Sequence, residues 1–139
     1  MLVKQSCVFI SAPLARFVEA SDVAGSLRGA GYKVQSRWLD VAGTALTSVL
    51  DPKSAIEAIE KNDRDMREAS IVVALSYQGE GCEMHAEIAR ALDNGVPVCM
   101  ISHGNLLPLS AYREGVAVFS HVESVIAFLR PLLSKAVAA

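Results

Sequence analysis

The chain has 139 residues, 52% of them apolar, with 13 basic and 15 acidic side chains and a formal charge of −2. That length suits one domain, residues 1–139, with a full hydrophobic core, and a near-neutral balance without a basic stripe or Lys/Arg cluster argues against nucleic acid as the main partner. No apolar run approaches the roughly 20 residues that cross a bilayer, and the apolar run after Lys4 is too short for a signal peptide before it reaches Pro13, so the expectation is a cytoplasmic protein with no membrane partner.

Ser6-Cys-Val-Phe-Ile10 reads as a first strand, and Arg16 to Arg28 as a helix stopped by Gly29 and Gly31. Tyr32-Lys-Val-Gln-Ser-Arg-Trp-Leu39 alternates and predicts a second strand. Val41 to Leu50 is a looser segment with the character of a lid. Pro52 stands where a helix begins, and Ser54 to Glu68 carries helical periodicity through Ile56, Ile59 and Met66. Ile71 to Leu75 predicts a third strand, and Glu83 to Asn94 a helix ended by Gly95. Pro97 to Ile101 and Gly115 to Phe119 predict strands four and five, and Val122 to Leu133 the last helix. There is no internal repeat, low-complexity tract or linker.

Strands alternating with helices predict an α/β fold with a parallel sheet and helices on both faces. Short, almost wholly apolar strands fit burial on both sides. The expected topology is a flavodoxin-like, doubly wound, five-stranded sheet of order 2-1-3-4-5. In that order the chain reverses direction between strands one and three, and a ligand crevice opens there. Its walls are the loops Ser11-Ala-Pro-Leu-Ala-Arg16 and Ser76-Tyr-Gln-Gly-Glu-Gly81, which put Ser11, Pro13, Leu14, Gly79 and Gly81 beside a small molecule. Trp38 and Tyr77 end their strands near the crevice mouth, where an aromatic face can stack on a base or simply pack. Arg16 reads either as a phosphate contact or as a surface charge.

The segment from Gly79 to Leu92 joins a strand end to a helix and concentrates ionisable groups. At about 100° per residue, Met84, Ile88, Ala91 and Leu92 share the face that packs on the sheet. Glu83 and Glu87 lie on one flank of it and His85 on the other. Glu83 sits in the favourable field of the helix N-terminus. Glu87, a turn deeper at the apolar border, is placed to be desolvated and tuned. From position alone both carboxylates also read as solvated flank groups, as most helix glutamates are. His85 is a ligand contact or a turn cap. Cys82 lacks the Arg six positions on that a thiol phosphatase needs, since Ile88 stands there. The cysteines, Cys7, Cys82 and Cys99, are odd in number and irregularly spaced, so neither a disulfide framework nor a metal set is expected. No Gly-Lys-Ser/Thr loop occurs, the first loop lacks the Ser/Thr character of a flavin phosphate site, and no cofactor is expected.

Several of these landmarks, in order, carry a family likeness. They are Phe9-Ile-Ser-Ala-Pro-Leu14, Ser36-Arg-Trp-Leu39, Asn62-Asp63-Arg64-Asp65-Met66 followed by Ala69-Ser70-Ile-Val-Val73, and Gly81 through Leu92 followed by Asn94-Gly95-Val96-Pro97-Val98. In them the chain resembles the nucleoside 2-deoxyribosyltransferase family and its relatives that hydrolyse N-glycosidic bonds of nucleoside monophosphates. The likeness covers strands one to four, and the last landmark is the most specific. It implies an enzyme whose substrate is a nucleoside or nucleotide and whose nucleophile falls on Glu87, supported by an acid at Asp63 or Asp65. It also implies a homo-oligomer, dimer or higher, for which the apolar last helix with Phe128, Leu129, Leu132 and Leu133 offers a surface. Ala89 stands where the family usually has Gly, Ser70 where it has Asp, and Ser11-Ala12 where it has Ala-Gly; these departures bear on substrate and rate more than on fold. The alternatives are a non-catalytic nucleotide-binding or sensor module on the same scaffold, and, more weakly, a nicotinamide-dinucleotide glycohydrolase.

Overall fold

A computed structural model describes residues 6–47, 51–78, 80–104 and 106–138, with the side chains of 43–47 and 133–138 outside the description. Five parallel strands form one sheet in the order β2-β1-β3-β4-β5. They are β1 (Cys7–Ser11), β2 (Lys33–Val34), β3 (Ile71–Ser76), β4 (Val98–Ser102) and β5 (Val116–Phe119). Five α-helices alternate with them: α1 (Phe17–Gly29), α2 (Trp38–Thr47), α3 (Pro52–Glu68), α4 (Cys82–Asp93) and α5 (Val122–Ala138). The expected fold class and strand order are those observed.

Strand alternation divides the core into two layers. Val8 and Ile10 of β1 join Val73, Leu75, Cys99 and Ile101 in packing against Ala20, Ala24 and Leu27 of α1 and Val125 and Leu129 of α5. Phe9 turns to the other face with Val72, Ala74 and Met100, against Met66 of α3 and Met84, Ile88 and Ala91 of α4. Ser11 has the same parity as Phe9, so its side chain leaves the end of β1 on the α3/α4 side. Both core cysteines behave as small hydrophobes, and burial pushes the Cys99 thiol up to about 12.

The second strand is shorter than its alternation predicts, and Trp38 opens a helix instead of ending a strand. Only Lys33 and Val34 pair with β1. Two residues on, a side chain replaces the ladder: Ser36 Oγ accepts the Ile10 N–H at 2.7 Å. The Ser36 and Arg37 carbonyls then accept from the Leu39 and Asp40 N–H groups, which starts a helical turn. The segment expected to be loose is therefore helical through Thr47, and residues 48–50 lie outside the description. α3 begins as its sequence indicates, with Pro52 in the first turn and Asp51 accepting from the Ser54 N–H at 2.9 Å. Among the described residues no helix is long and apolar enough to cross a membrane.

Candidate active site

β1 and β3 are neighbours, and the segments leaving their carboxyl ends diverge. β1 runs through Ala12 and Pro13 into a 3-10 turn, Leu14–Arg16, on its way to α1, while β3 turns at Tyr77–Gln78 toward α4. A cavity of about 850 Å³ opens between them, within the range of small-molecule sites. Ala12, Pro13, Leu14 and Ala15 line one side, and Trp38 and Val41 of α2 another. Ala55, Ala58, Ile59, Asn62 and Asp63 of α3 face Glu80, Gly81 and the first turns of α4 across it. Gly81 caps α4 with φ at 94°, a left-handed turn that brings the helix N-terminus to the cavity edge.

Glu87 stands in this cavity with both carboxylate oxygens held. Ser11 Oγ donates to its Oε1 at 2.7 Å, and Asn62 Nδ2 donates to its Oε2 at 2.8 Å. One strand end and two helices thus fix a single carboxylate. Burial pushes the Glu87 carboxyl above the usual range; the bonds from Asn62 and Ser11 pull it back, Glu83 one turn earlier adds to the rise, and Arg90 opposes it. The net result is a partly desolvated, oriented carboxylate that donates no hydrogen bond. Such a group can attack an electrophilic carbon or stabilise positive charge developing above it.

The structure sorts the other sequence candidates into three places. Pro13, Leu14, Trp38, Gly81 and Asp63 line the cavity with Glu87. Trp38 is anchored there by its Nε1–H, which donates to the Ile10 carbonyl at 2.8 Å. Asp63 Oδ1 lies 3.3 Å from Arg90 Nη1 at the cavity edge. Ser11 is fully buried beneath the site and reaches it through Glu87.

Asp65, Tyr77 and His85 do not line the cavity. Asp65 is fully buried and accepts from Gln35 Nε2 and the Arg37 backbone N–H, each at 2.8 Å, with Arg37 Nη2 also at 2.8 Å. Burial opposes its ionisation, but the Arg37 and Gln35 bonds outweigh it and hold the carboxyl below the usual range. Its place is a tie between α3 and the chain after β2. Tyr77 is sandwiched between the Arg16 guanidinium, 4.3 Å from the ring centre, and the His103 ring, stacked at 4.5 Å. Arg16 itself is engaged by Glu80, with contacts at 3.0 and 3.1 Å. His85 points to the other flank, where Nδ1 meets Ser110 Oγ at 2.6 Å. Gly79 lies outside the described residues.

The cavity residue bonded to Glu87 that sequence reasoning left unassigned is Asn62. Ala55, Ile59 and Asn62 recur at helical spacing along the face of α3 that meets the cavity. A lone amide closing an otherwise apolar stripe was the available signal. Cys82 opens α4, exposed at the cavity edge. Among the described residues no group of three or more His, Cys, Asp or Glu is arranged to hold a metal ion. A smaller cavity of about 460 Å³ lies beyond the Asp63–Arg90 pair, bounded by Met66, Arg67, Ala91, Asn94 and Val96.

No family model and no curated protein matches the sequence. Among solved structures, the chain is similar to a 2-deoxyribosyltransferase from the psychrotolerant bacterium Bacillus psychrosaccharolyticus, with a TM-score of 0.68 at 16% identity over 92% of this chain and 96% of that one. It is also similar to a CMP N-glycosidase of Clostridium botulinum, with a TM-score of 0.54 at 13% identity over 91% of this chain and 99% of that one. At these identities the likeness is one of fold.

Proposed function

We propose that the protein cleaves the N-glycosidic bond of a nucleoside or nucleotide through Glu87, passing the sugar to a second base or to water. The observation that carries this reading is the seating of Glu87, a desolvated carboxylate held by Ser11 and Asn62 at the strand switch point. Two further supports are the sequence resemblance, which sets the nucleophile at the same residue, and the fold neighbours, one a deoxyribosyltransferase and one an N-glycosidase.

In the first half-reaction a Glu87 oxygen bonds to the anomeric carbon as the carbon–nitrogen bond breaks. The electron pair leaves with the base, which takes up a proton. In the second half an incoming base or water attacks the same carbon, gives up a proton, and the bond to Glu87 breaks. Of the two acids the resemblance offers, Asp63 is the one assigned to proton handling here, because it lines the cavity and Asp65 does not. Trp38, Leu14 and Ile59 supply apolar surface for the base. In this reading residues 1–139 act as one catalytic domain in the cytoplasm. Association into a homo-oligomer through α5 rests on Phe128 and Leu132, which are exposed, whereas Leu129 is buried in the core and the Leu133 side chain lies outside the description.

The test is incubation with a panel of deoxynucleosides and nucleoside monophosphates, with chromatography of the released bases, for the wild type and Glu87→Ala. Base release by the wild type and its loss in a folded variant are expected. Undiminished turnover by Glu87→Ala would sink the assignment, and calorimetric binding without base release across the panel would point to a nucleotide-binding module.

A further inference from the structure

The two bonds that hold Glu87 come from different sides and are not equivalent. Ser11, which donates to Oε1 at 2.7 Å, is fully buried at the end of β1 and lies outside the cavity lining. Asn62, which donates to Oε2 at 2.8 Å, lines the cavity with Ala55, Ala58 and Ile59 of α3. Oε1 therefore faces the sheet end, and Oε2 is the oxygen on the ligand's side. Both donors are neutral. Among the described residues no cation pairs with Glu87, and Arg90, three positions on, pairs with Asp63 at 3.3 Å.

An ionised carboxylate only accepts, so the Asn62 amide presents Nδ2 to it. A hydrogen bond to a charged acceptor is roughly twice as strong as one to a neutral acceptor. When Oε2 bonds to an anomeric carbon its charge is lost, and it becomes the bridging oxygen of an ester, a poor acceptor. The carbon–oxygen double bond then lies at Oε1, which still accepts from Ser11. The Asn62 bond is thus made to the free carboxylate and lost in the ester, whereas the Ser11 bond is weakened but kept. An interaction of the first kind holds back formation of the ester and favours its cleavage.

We infer that Oε2 is the attacking oxygen, and that Asn62 serves the second half-reaction by receiving the carboxylate as the sugar leaves it. In that step the incoming base or water bonds to the anomeric carbon and gives its proton to Asp63. The bond from that carbon to Oε2 breaks, and its electron pair returns to Oε2, where Nδ2–H donates to it. The inference rests on the reading that Glu87 is the nucleophile of N-glycosidic cleavage.

The experiment mixes the wild type, Asn62→Ala and Ser11→Ala with a saturating deoxynucleoside and quenches the mixture rapidly in denaturant. Intact mass gives the ratio of sugar-bearing to unmodified protein, and peptide mapping locates the adduct. At saturation that ratio is the rate of forming the adduct over the rate of cleaving it, whichever step limits turnover. Alanine suits a helix interior, so Asn62→Ala is expected to fold, as thermal melts would show. The expected result is an adduct on Glu87 and a ratio higher by about 10-fold in Asn62→Ala than in the wild type, with a smaller rise in Ser11→Ala. An unchanged or lower ratio in Asn62→Ala overturns the inference, and slowed turnover alone does not rescue it. An equal or larger rise in Ser11→Ala places the attack at Oε1 and overturns it as well. So does base release with no adduct in any of the three proteins. These outcomes leave N-glycosidic cleavage standing. Absence of base release from every form, or an adduct on a residue other than Glu87, sinks the catalytic reading itself and the inference with it.

Discussion

Ser11 and Glu87 are 76 positions apart in the chain, and their side chains meet at 2.7 Å. Sheet parity accounts for the meeting. Ser11 shares a face with Phe9, and Phe9 packs in the layer that contains Met84 and Ile88, the neighbours of Glu87 on α4. Because a hydroxyl donating to a carboxylate favours the ionised form, this bond opposes the effect of burial on Glu87. Ser11→Ala is therefore expected to lower kcat/KM by about 10-fold, the scale of one charge-assisted bond, and to move the acid limb of the pH–rate profile to higher pH. The conservative Ser11→Thr keeps the donor and is expected to leave the limb in place. A limb unchanged in Ser11→Ala would remove Ser11 from any role in tuning Glu87.

The raised carboxyl of Glu87 has a consequence for stability. Its folded value lies above its unfolded value, so as pH rises the unfolded chain releases this proton first. The native state then holds more protons, and its stability falls as pH climbs from the unfolded carboxylate range, near about 4.3, through the folded value. Glu87→Gln removes that dependence. Ser11 can still donate to the amide oxygen, and Asn62 can turn its own amide to accept from the new amide nitrogen. The expected outcome is no base release and a Tm at pH 7 equal to or a few degrees above wild type, with the difference shrinking toward pH 4. Thermal melts at the two pH values check it; a variant that melts well below wild type at pH 7 refutes the account.

The two aspartates of α3 separate by experiment. Asp65 is fully buried and bonded to Arg37 and Gln35, whereas Asp63 faces the cavity. Asp65→Asn leaves the Arg37 guanidinium without its counter-charge. Because the Arg37 side chain is 35% exposed, the cost is about 2 kcal/mol, less than the roughly 3–5 kcal/mol of a fully buried broken pair. The folded carboxyl lies below its unfolded value, so the stabilisation is present above the unfolded range and is lost as pH falls through the folded value. Asp65→Asn is expected to lower Tm at pH 7 and, on the proposed function, to leave the turnover of the folded protein little changed. Asp63→Asn is expected to do the reverse, cutting kcat by about 10²-fold or more with Tm nearly constant. The opposite assignment of effects would restore Asp65 as the supporting acid.

Strong periodic signals in the sequence correspond to what packs. The apolar runs of β1, β3 and β4 are buried on both faces, and the stripe Met84, Ile88 and Ala91 fixes how α4 turns. With that rotation set, Glu87 at the edge of the apolar face has only one direction to point. Where side chains substitute for backbone partners, local pattern misleads. Ser36 intercepts the β1 ladder and Asp65 takes the Arg37 N–H, so an alternating run ends as a two-residue strand and a helix begins at Trp38. Tyr77 and His85 sit near the site in sequence, but stacking on His103 and bonding to Ser110 take them out of the cavity lining. Asn62 left only a faint mark, a lone amide closing an apolar stripe, for a related reason. Its role depends on a carboxylate 25 positions away, and a single chain carries no local trace of that contact.

Two glycines, both left-handed, test whether the cavity edge or the backbone alone matters. Gly81 has φ +94°, and a Cβ there would sit 3.2 Å from Met84 Cε and 3.3 Å from Pro13 Cγ. Gly95 has φ +74° with nothing within 4 Å of the same added atom. Gly95→Ala therefore carries conformational strain only, of about 1 kcal/mol, with KM expected to hold. Gly81→Ala adds crowding of two residues that line the cavity, so its expected cost is larger, about 2–3 kcal/mol. Met84 and Pro13 must move to accommodate the new methyl, and KM for the nucleoside is expected to rise several-fold. Thermal melts paired with steady-state kinetics separate the two. A common fall in Tm with KM unchanged in both variants would mean that the Gly81 turn positions α4 without shaping the ligand's seat.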